Sequence, residues 1–280
     1  MSSNIQTTQV PALTLNDGNE IPQLGFGVFQ VPPADTAGVV AHALRTGYRL
    51  IDTAAAYGNE SGVGEAVANS GLAREEVYVT TKLWNDDHGR ERTRRAFEAS
   101  LERLGLDDVD LYLIHWPAPG RGRYIETWEA LCELKDSGRT RSIGVSNFTV
   151  EHLERVIDAT GVVPAVNQIE LHPEFQQREL REFHRERGIA TEAWSPLGKG
   201  RVMEHPVIGE LAAAHGRTPA QVVLRWHLQL GNIVIPKSVT PSRIEENFRL
   251  FDFELGEEEM DRLAKLDTGR RIGPDPLRFG

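Results

Sequence analysis

The chain has 280 residues, 40% of them hydrophobic and 26% charged, the balance of an ordinary globular protein able to bury a substantial core. Thirty-one basic against 41 acidic residues give a net charge of -10, which opposes nucleic acid or an anionic membrane as the main partner. No apolar stretch approaches the ~20 residues of a membrane span, Met1 to Val10 is polar without a signal-peptide core, and the single Cys132 excludes an internal disulfide and fits a reducing cytoplasm.

In chain order, Ala12 to Pro22 carries an Asp-Gly turn between two short apolar pieces and predicts a β-hairpin, placed to plug the bottom of a barrel. Strands then begin near Leu24, Tyr48, Val77, Val109, Thr140, Ala165, Ile189 and Asn232, each leading into a longer helical pattern. Phe97, Leu101 and Leu104 share one helix face, as do Leu153, Val156 and Ile157. Asp35, Thr149, Thr218 and Thr240 or Ser242 are candidate helix caps, and Gly47, Gly105, Gly138 and Gly188 close helices. Cys132 lies in a helical stretch with Trp128, Leu131 and Leu134 on its apolar side and reads as a small packed residue, with no base beside it. His205 to His215 and Glu257 to Leu266 predict two additional helices outside the eight-unit count. Strands rich in Val, Ile and Leu without strict alternation belong to a parallel sheet covered on both faces. Eight such βα units predict an α/β fold, a closed (β/α)8 TIM barrel, with residues 1–280 forming a single domain.

Asp52, Tyr57, Lys82 and His115 sit at or just past the ends of the runs Tyr48 to Ile51, Val77 to Thr81 and Val109 to Ile114. Strand ends are where barrels place their chemistry, so one site can gather all four. Lys82 would pull the phenol of Tyr57 down electrostatically, Asp52 would keep Lys82 charged, and His115 would donate to the same substrate oxygen. A carbonyl becoming an alkoxide fits this set, with hydride arriving from a cofactor.

Gly25 to Gln30 is not a dinucleotide fingerprint, since the third glycine and the acidic residue expected after it are missing; it reads as a strand whose glycines allow close approach. Phosphate is better placed where the eighth strand turns into a helix, at Ile235 to Asn247: Lys237 and Arg243 supply charge, Ser238 and the amides near Val239 supply donors. No histidine pairs with Cys, Asp or Glu at a spacing that specifies a metal.

Gly47 to Glu60, Thr80 to Trp84 and Leu111 to Pro117 resemble the catalytic stretches of the aldo-keto reductases, and the likeness runs from about Pro11 to Asp267. It is strongest to the bacterial 2,5-diketo-D-gluconic acid reductases, through Leu15 to Asn19, Val31 to Asp35, Lys82 to Asn85 and Val163 to Glu174. The resemblance implies a small carbonyl substrate, Tyr57 as acid, Lys82 and Asp52 as its tuners and His115 as the group orienting the carbonyl. It assigns Ser146, Asn147 and Gln168 to the nicotinamide carboxamide and Trp194 to stacking on the ring. Ser195, Leu197 and Gly198 match a loop near the pyrophosphate, Glu246 and Asn247 match adenine contacts, and Ile235 to Asn247 resembles a grip on a 2′-phosphate, which implies NADPH. A monomer is the family expectation.

Phe26, Trp84 and Trp116 are expected around the carbonyl as an apolar wall, and Arg121 and Arg123 are candidates to attract carboxylated substrates. The segment Gly269 to Gly280 departs from the resembling reductases, whose tails often line the pocket. Two other readings stay open on the residues: Lys82 as a Schiff-base nucleophile, and a non-catalytic barrel that binds NADPH as a sensor or regulatory subunit.

Overall fold

Strands β1 (Ala12–Thr14) and β2 (Glu20–Pro22) form the expected antiparallel hairpin, with Leu13 opposite Ile21. Gly18, at φ 84, takes the left-handed position in its turn. This computed structural model describes residues 10–280, so all of the polar start but Val10 lies outside the described residues.

Eight parallel strands come next: β3 (Phe26–Gly27), β4 (Leu50–Asp52), β5 (Tyr78–Leu83), β6 (Val109–Ile114), β7 (Thr140–Ser146), β8 (Val166–Glu170), β9 (Ala190–Trp194) and β10 (Ile233–Val234), each paired with its successor. A parallel bridge between Leu24 and Val234 closes the ring. There the Gly25 N–H donates to Val234 O at 2.8 Å and the Val234 N–H to Gln23 O at 3.0 Å. The glycines near Gln30 prove to be spacing residues, since a Cβ on Gly25 would lie 2.5 Å from Leu50 and one on Gly27 2.9 Å from Ile235 O.

Among the described residues ten helices surround the ring: α1 (Pro33–Thr46), α2 (Glu60–Ala68), α3 (Arg90–Leu104), α4 (Tyr124–Asp136), α5 (Val150–Thr160), α6 (Arg178–Arg187), α7 (Pro206–His215), α8 (Pro219–Gln229), α9 (Pro241–Phe248) and α10 (Glu257–Ala264). The two additions are α7 and α10. Thr149 and Thr218 cap α5 and α8, accepting from the N–H of His152 and Gln221. Asp35 does not cap. Pro32 holds that position and Pro33 opens α1, so the Asp35 carboxylate sits in the first turn, facing the positive end of the helix dipole. Thr240 stands at the N-cap of α9 without a side-chain bond, and Ser242 lies inside that helix. Cys132 is half-buried in α4, and burial pushes its thiol up to about 11. No helix among the described residues is long and apolar enough to cross a membrane.

Alternation along the strands divides the barrel into two layers of side chains. Ile51, Val79, Tyr112, Ile114 and Val145 point outward and pack with the helices in the larger core. The inward positions change character with height. Leu50, Leu111, Leu113, Val166 and Ile233 fill the lower barrel together with Leu15 and Ile21 of the hairpin. Above them the same inward rows end in Asp52, Lys82, His115, Gln168 and Glu192. The hairpin therefore seals the bottom with apolar side chains while polar groups collect at the top. Ile21 is fully buried in that seal. Ile21→Ala is expected to cost ~2–5 kcal/mol, read as a lower denaturant midpoint at unchanged far-UV dichroism.

Candidate active site

β4 ends at Asp52, and the chain then folds through a short 3-10 turn, Ala55–Tyr57, that brings Tyr57 back over the barrel mouth. Asn59 anchors this loop: it accepts from the Thr53 hydroxyl at 2.8 Å and donates to Val28 O at 2.9 Å. Lys82, 0% exposed in β5, donates to Asp52 Oδ1 at 2.7 Å, to the Thr53 carbonyl at 2.8 Å and to the Tyr57 hydroxyl at 3.4 Å. All three ammonium protons are thereby placed. Burial works to lower the Lys82 pKa, but Asp52 and Tyr57 more than offset it and hold the ammonium above the usual lysine range. A charged, triply bonded lysine is no Schiff-base nucleophile.

Tyr57 itself is held above the ordinary phenol range, chiefly by burial. Lys82 pulls it down as anticipated, yet burial with the charges of Asp52 and Glu192 outweighs that pull. At neutral pH the phenol is thus protonated, with an ammonium beside it to stabilise the oxygen once the proton leaves. His115, 8% exposed, is pushed well below the usual histidine range by burial and then by Lys82, so it is a neutral imidazole with one N–H to give. Its ring stands edge-on to Tyr57, centroids 5.6 Å apart, and to Trp84 at 5.3 Å.

Beneath this group the Gln168 amide donates to Asp52 Oδ2 at 2.8 Å and to Glu192 Oε2 at 3.0 Å. Glu192 is fully buried, and burial, then Asp52, raises its carboxyl to about 8. The sequence reading missed Glu192. Its signal was an acidic residue on the same inward row of β9 as Trp194, in register with Gln168 of β8.

Ser146, Asn147, Gln168 and Trp194 come together in one network. The Ser146 hydroxyl donates to Gln168 O at 2.7 Å, Asn147 Nδ2 donates to Ser146 Oγ and to His115 O at 3.0 Å each, and Trp194 Nε1 donates to Asn147 Oδ1 at 2.8 Å. Asn147 (φ 63) and Ser195 (φ 49) are left-handed non-glycine residues, the kind of strain that gathers at functional sites. Leu197 is half-buried, and Gly198 packs so closely that a Cβ would meet Val202 at 2.8 Å. Past β10, Lys237 and Arg243 are exposed and in no ion pair among the described residues, on either side of the α9 N-terminus. Ser238 accepts from the Thr240 N–H at 3.1 Å, Val239 is exposed, Glu246 accepts from the Thr218 hydroxyl at 2.9 Å and Asn247 is buried one turn along.

The aromatic residues divide. Trp84 and Trp116 lie at the mouth beside His115. Phe26 does not: between inward Gly25 and Gly27, alternation turns it outward, where it is buried edge-on to Tyr48 in the helix-facing core. In its place the structure puts Phe29, 50% exposed, with its ring centroid 5.1 Å from that of Tyr57. Phe279, from the far end of the chain, lies 4.6 Å from Trp116 and 6.3 Å from Trp84 by the same measure. Arg121 and Arg123 are not free cations, being paired with Asp86 and Glu126.

A phenol, an ammonium and a neutral imidazole at the mouth of an α/β barrel form a set chemically able to protonate a substrate oxygen. The sequence pattern of the Aldo/keto reductase family matches residues 23–268, and the chain belongs to that family. An aldo-keto reductase of Mycobacterium sp. (strain KMS) is 60% identical over 96% of this chain and 98% of its own length. The methylglyoxal reductase DkgA of Escherichia coli (strain K12) is 53% identical over 96% and 98%. The solved structure of Gox0644, 55% identical, superposes with a TM-score of 0.92 over 95% of this chain and 97% of its own. A mutant of Gox0644 has been solved in complex with NADPH, at 54% identity and the same TM-score.

Glu192 carries a pH signature. An unfolded glutamate loses its proton near the ordinary 4.5, whereas the folded group holds it to about 8, so this residue makes stability fall as pH rises between those values. Glu192→Gln removes the effect. The stability difference favouring the Gln variant is expected to grow from pH 4.5 to 8 and level off above, measured as denaturant midpoints of both proteins.

Proposed function

We propose that the protein reduces aldehydes, ketones or α-dicarbonyls to alcohols with NADPH, Tyr57 acting as general acid. The observation that carries this reading is the buried Lys82 ammonium shared between Asp52 and the Tyr57 hydroxyl. Residues for the cofactor fit: Lys237 and Arg243, cations in no ion pair among the described residues, flank a helix N-terminus whose amides suit a phosphate, and Trp194 offers a half-exposed indole held by Asn147. Gln168 spends its amide protons on Asp52 and Glu192, which turns its carbonyl oxygen to any carboxamide N–H. Ser195, Leu197 and Gly198 would face the pyrophosphate, and Glu246 and Asn247 the adenine. The bound cofactor supplies hydride to the carbonyl carbon.

The chain's own residues do the rest. His115, neutral, donates its N–H to the carbonyl oxygen and orients it. Tyr57 passes its proton to that oxygen as charge builds there, and Lys82 stabilises the phenolate left behind. Trp84, Trp116 and Phe29 shape an apolar mouth that suits a small dicarbonyl. Methylglyoxal, the substrate class in the name of the E. coli relative, and 2,5-diketogluconate are the candidates. With Arg121 and Arg123 already paired, the first fits better. A monomer, as the family resemblance implies, and a cytoplasmic setting, which the free thiol of Cys132 suits, complete the proposal.

Tyr57→Phe is expected to lower kcat for methylglyoxal at least ~100-fold at nearly unchanged NADPH affinity, followed as NADPH oxidation and by cofactor titration. Comparable turnover in the variant would remove Tyr57 as the acid. Lys237→Ala or Arg243→Ala should weaken NADPH roughly tenfold and NADH far less, and equal loss for both would place the 2′-phosphate elsewhere.

A further inference from the structure

The segment after α10 crosses the top of the barrel, and its backbone is anchored chiefly by the end of β8 and the loop beyond it. The N–H groups of Thr268 and Arg270 donate to Glu174 O at 3.1 Å each, and the Arg271 guanidinium lies 4.5 Å from the centroid of Phe175. The strongest anchor is Glu170, the last residue of β8, whose side chain is 0% exposed. Its Oε1 accepts from the Ile272 N–H and its Oε2 from the Gly273 N–H, both at 2.7 Å, while His172 Nε2 lies 3.0 Å from Oε1. One buried carboxylate thus grips two successive amides in a bidentate clasp, of the charge-assisted kind that is stronger than a neutral hydrogen bond. The fit leaves no slack: a Cβ on Gly273 would lie 2.4 Å from the Trp194 ring and 2.8 Å from Glu170 Oε2.

Beyond the clasp the chain is short and stiff. Pro274 and Pro276 restrict it, Asp275 Oδ1 accepts from the Leu277 N–H at 3.0 Å, and Asp275 O accepts from the N–H of Arg278 and Phe279, also at 3.0 Å. This turn delivers Phe279 onto Trp116 and Trp84, and Trp84 stands against His115. We infer that Glu170, which takes no part in the proton transfer, is a positioning residue for the substrate: by clasping Ile272 and Gly273 it sets Phe279 as the fourth aromatic wall of the mouth. The inference rests on the carbonyl-reductase reading. A displaced Phe279 leaves the mouth wider and wetter, so a small carbonyl compound binds less well, while the groups that hold the cofactor phosphates are untouched.

The test is Glu170→Gln, which keeps size and one acceptor but turns an amide N–H against the other backbone donor. KM for methylglyoxal is expected to rise roughly five- to tenfold, with the NADPH Kd within about twofold of wild type. Hydrogen exchange of the 272–273 amides, read without cofactor, should quicken. Phe279→Ala should raise KM similarly, and the double variant should be no worse than either single one, a coupling that general damage to the fold would not produce. Glu170→Asp, checked by circular dichroism, gives a second route should the Gln variant fold poorly, and should raise KM in the same way. Unchanged KM in the face of quickened exchange would overturn the inference, as would additive effects or an equal loss of NADPH affinity. A wild-type protein inactive on every carbonyl would sink the reductase reading and this inference together, whereas an active wild type with unmoved KM in the variants sinks this one alone.

Discussion

The ion pair between Lys82 and Asp52, 2.7 Å long and nearly sealed from water at 0% and 2% exposure, is the constraint around which the site is built. Taking two charges out of water is costly, and such a pair is at best neutral against an apolar replacement of the same shape. What it supplies is definition. Its partners lie on adjacent strands, with Asp52 in register with Thr80 and Lys82 two residues further along β5. A slip of one residue would turn one of them outward among Val79, Ile51 and the helices. The bond that keeps the lysine charged therefore also keeps β4 and β5 in register, and through the Thr53 carbonyl it fixes the start of the loop carrying Tyr57.

Charge inside the barrel mouth is balanced to leave room for one event. The Lys82 ammonium is held charged against Asp52, His115 is neutral, and burial holds the Glu192 carboxyl well above the ordinary carboxylate range. A second carboxylate so near Asp52 would repel any negative charge forming on Tyr57. Burial gives the phenol a tight hold on its proton, so it is not lost to solvent in the resting protein. On the proposed reading, that proton moves when a stronger acceptor forms within reach, the condition a carbonyl oxygen meets as it takes on charge.

Much of this was legible in the sequence, for a simple reason. Strand side chains alternate, so residues an even number apart share a face, and the inward rows of a barrel run from apolar to polar toward its functional end. Asp52, Lys82 and His115 lie beyond the apolar runs on those rows. The same rule corrects Phe26, whose flanking glycines hold the inward places. It would also have found Glu192, an inward acid in β9, had each strand been counted through. Other features were hidden because they depend on partners distant in the chain. Nothing near Arg121 announces Asp86, and nothing near Phe279 announces Trp116. Phe29 escaped since its contact with Tyr57 depends on how the loop after β4 returns. Asp35 shows the limit of local rules, because Pro32 takes the capping position and Pro33 opens the helix, which leaves Asp35 inside the first turn.

The hairpin that seals the lower barrel with Leu15 and Ile21 has a consequence for traffic. Among the described residues, that end of the barrel is corked and the other is where the polar groups gather. On the proposed reading, whatever reacts at Tyr57 and His115 enters and leaves at the end opposite the hairpin, past Phe29 on one side and the clasped strap carrying Phe279 on the other. Whatever lodges deepest must then arrive first and depart last, so the order of arrival and release is imposed by the architecture before any affinity is considered.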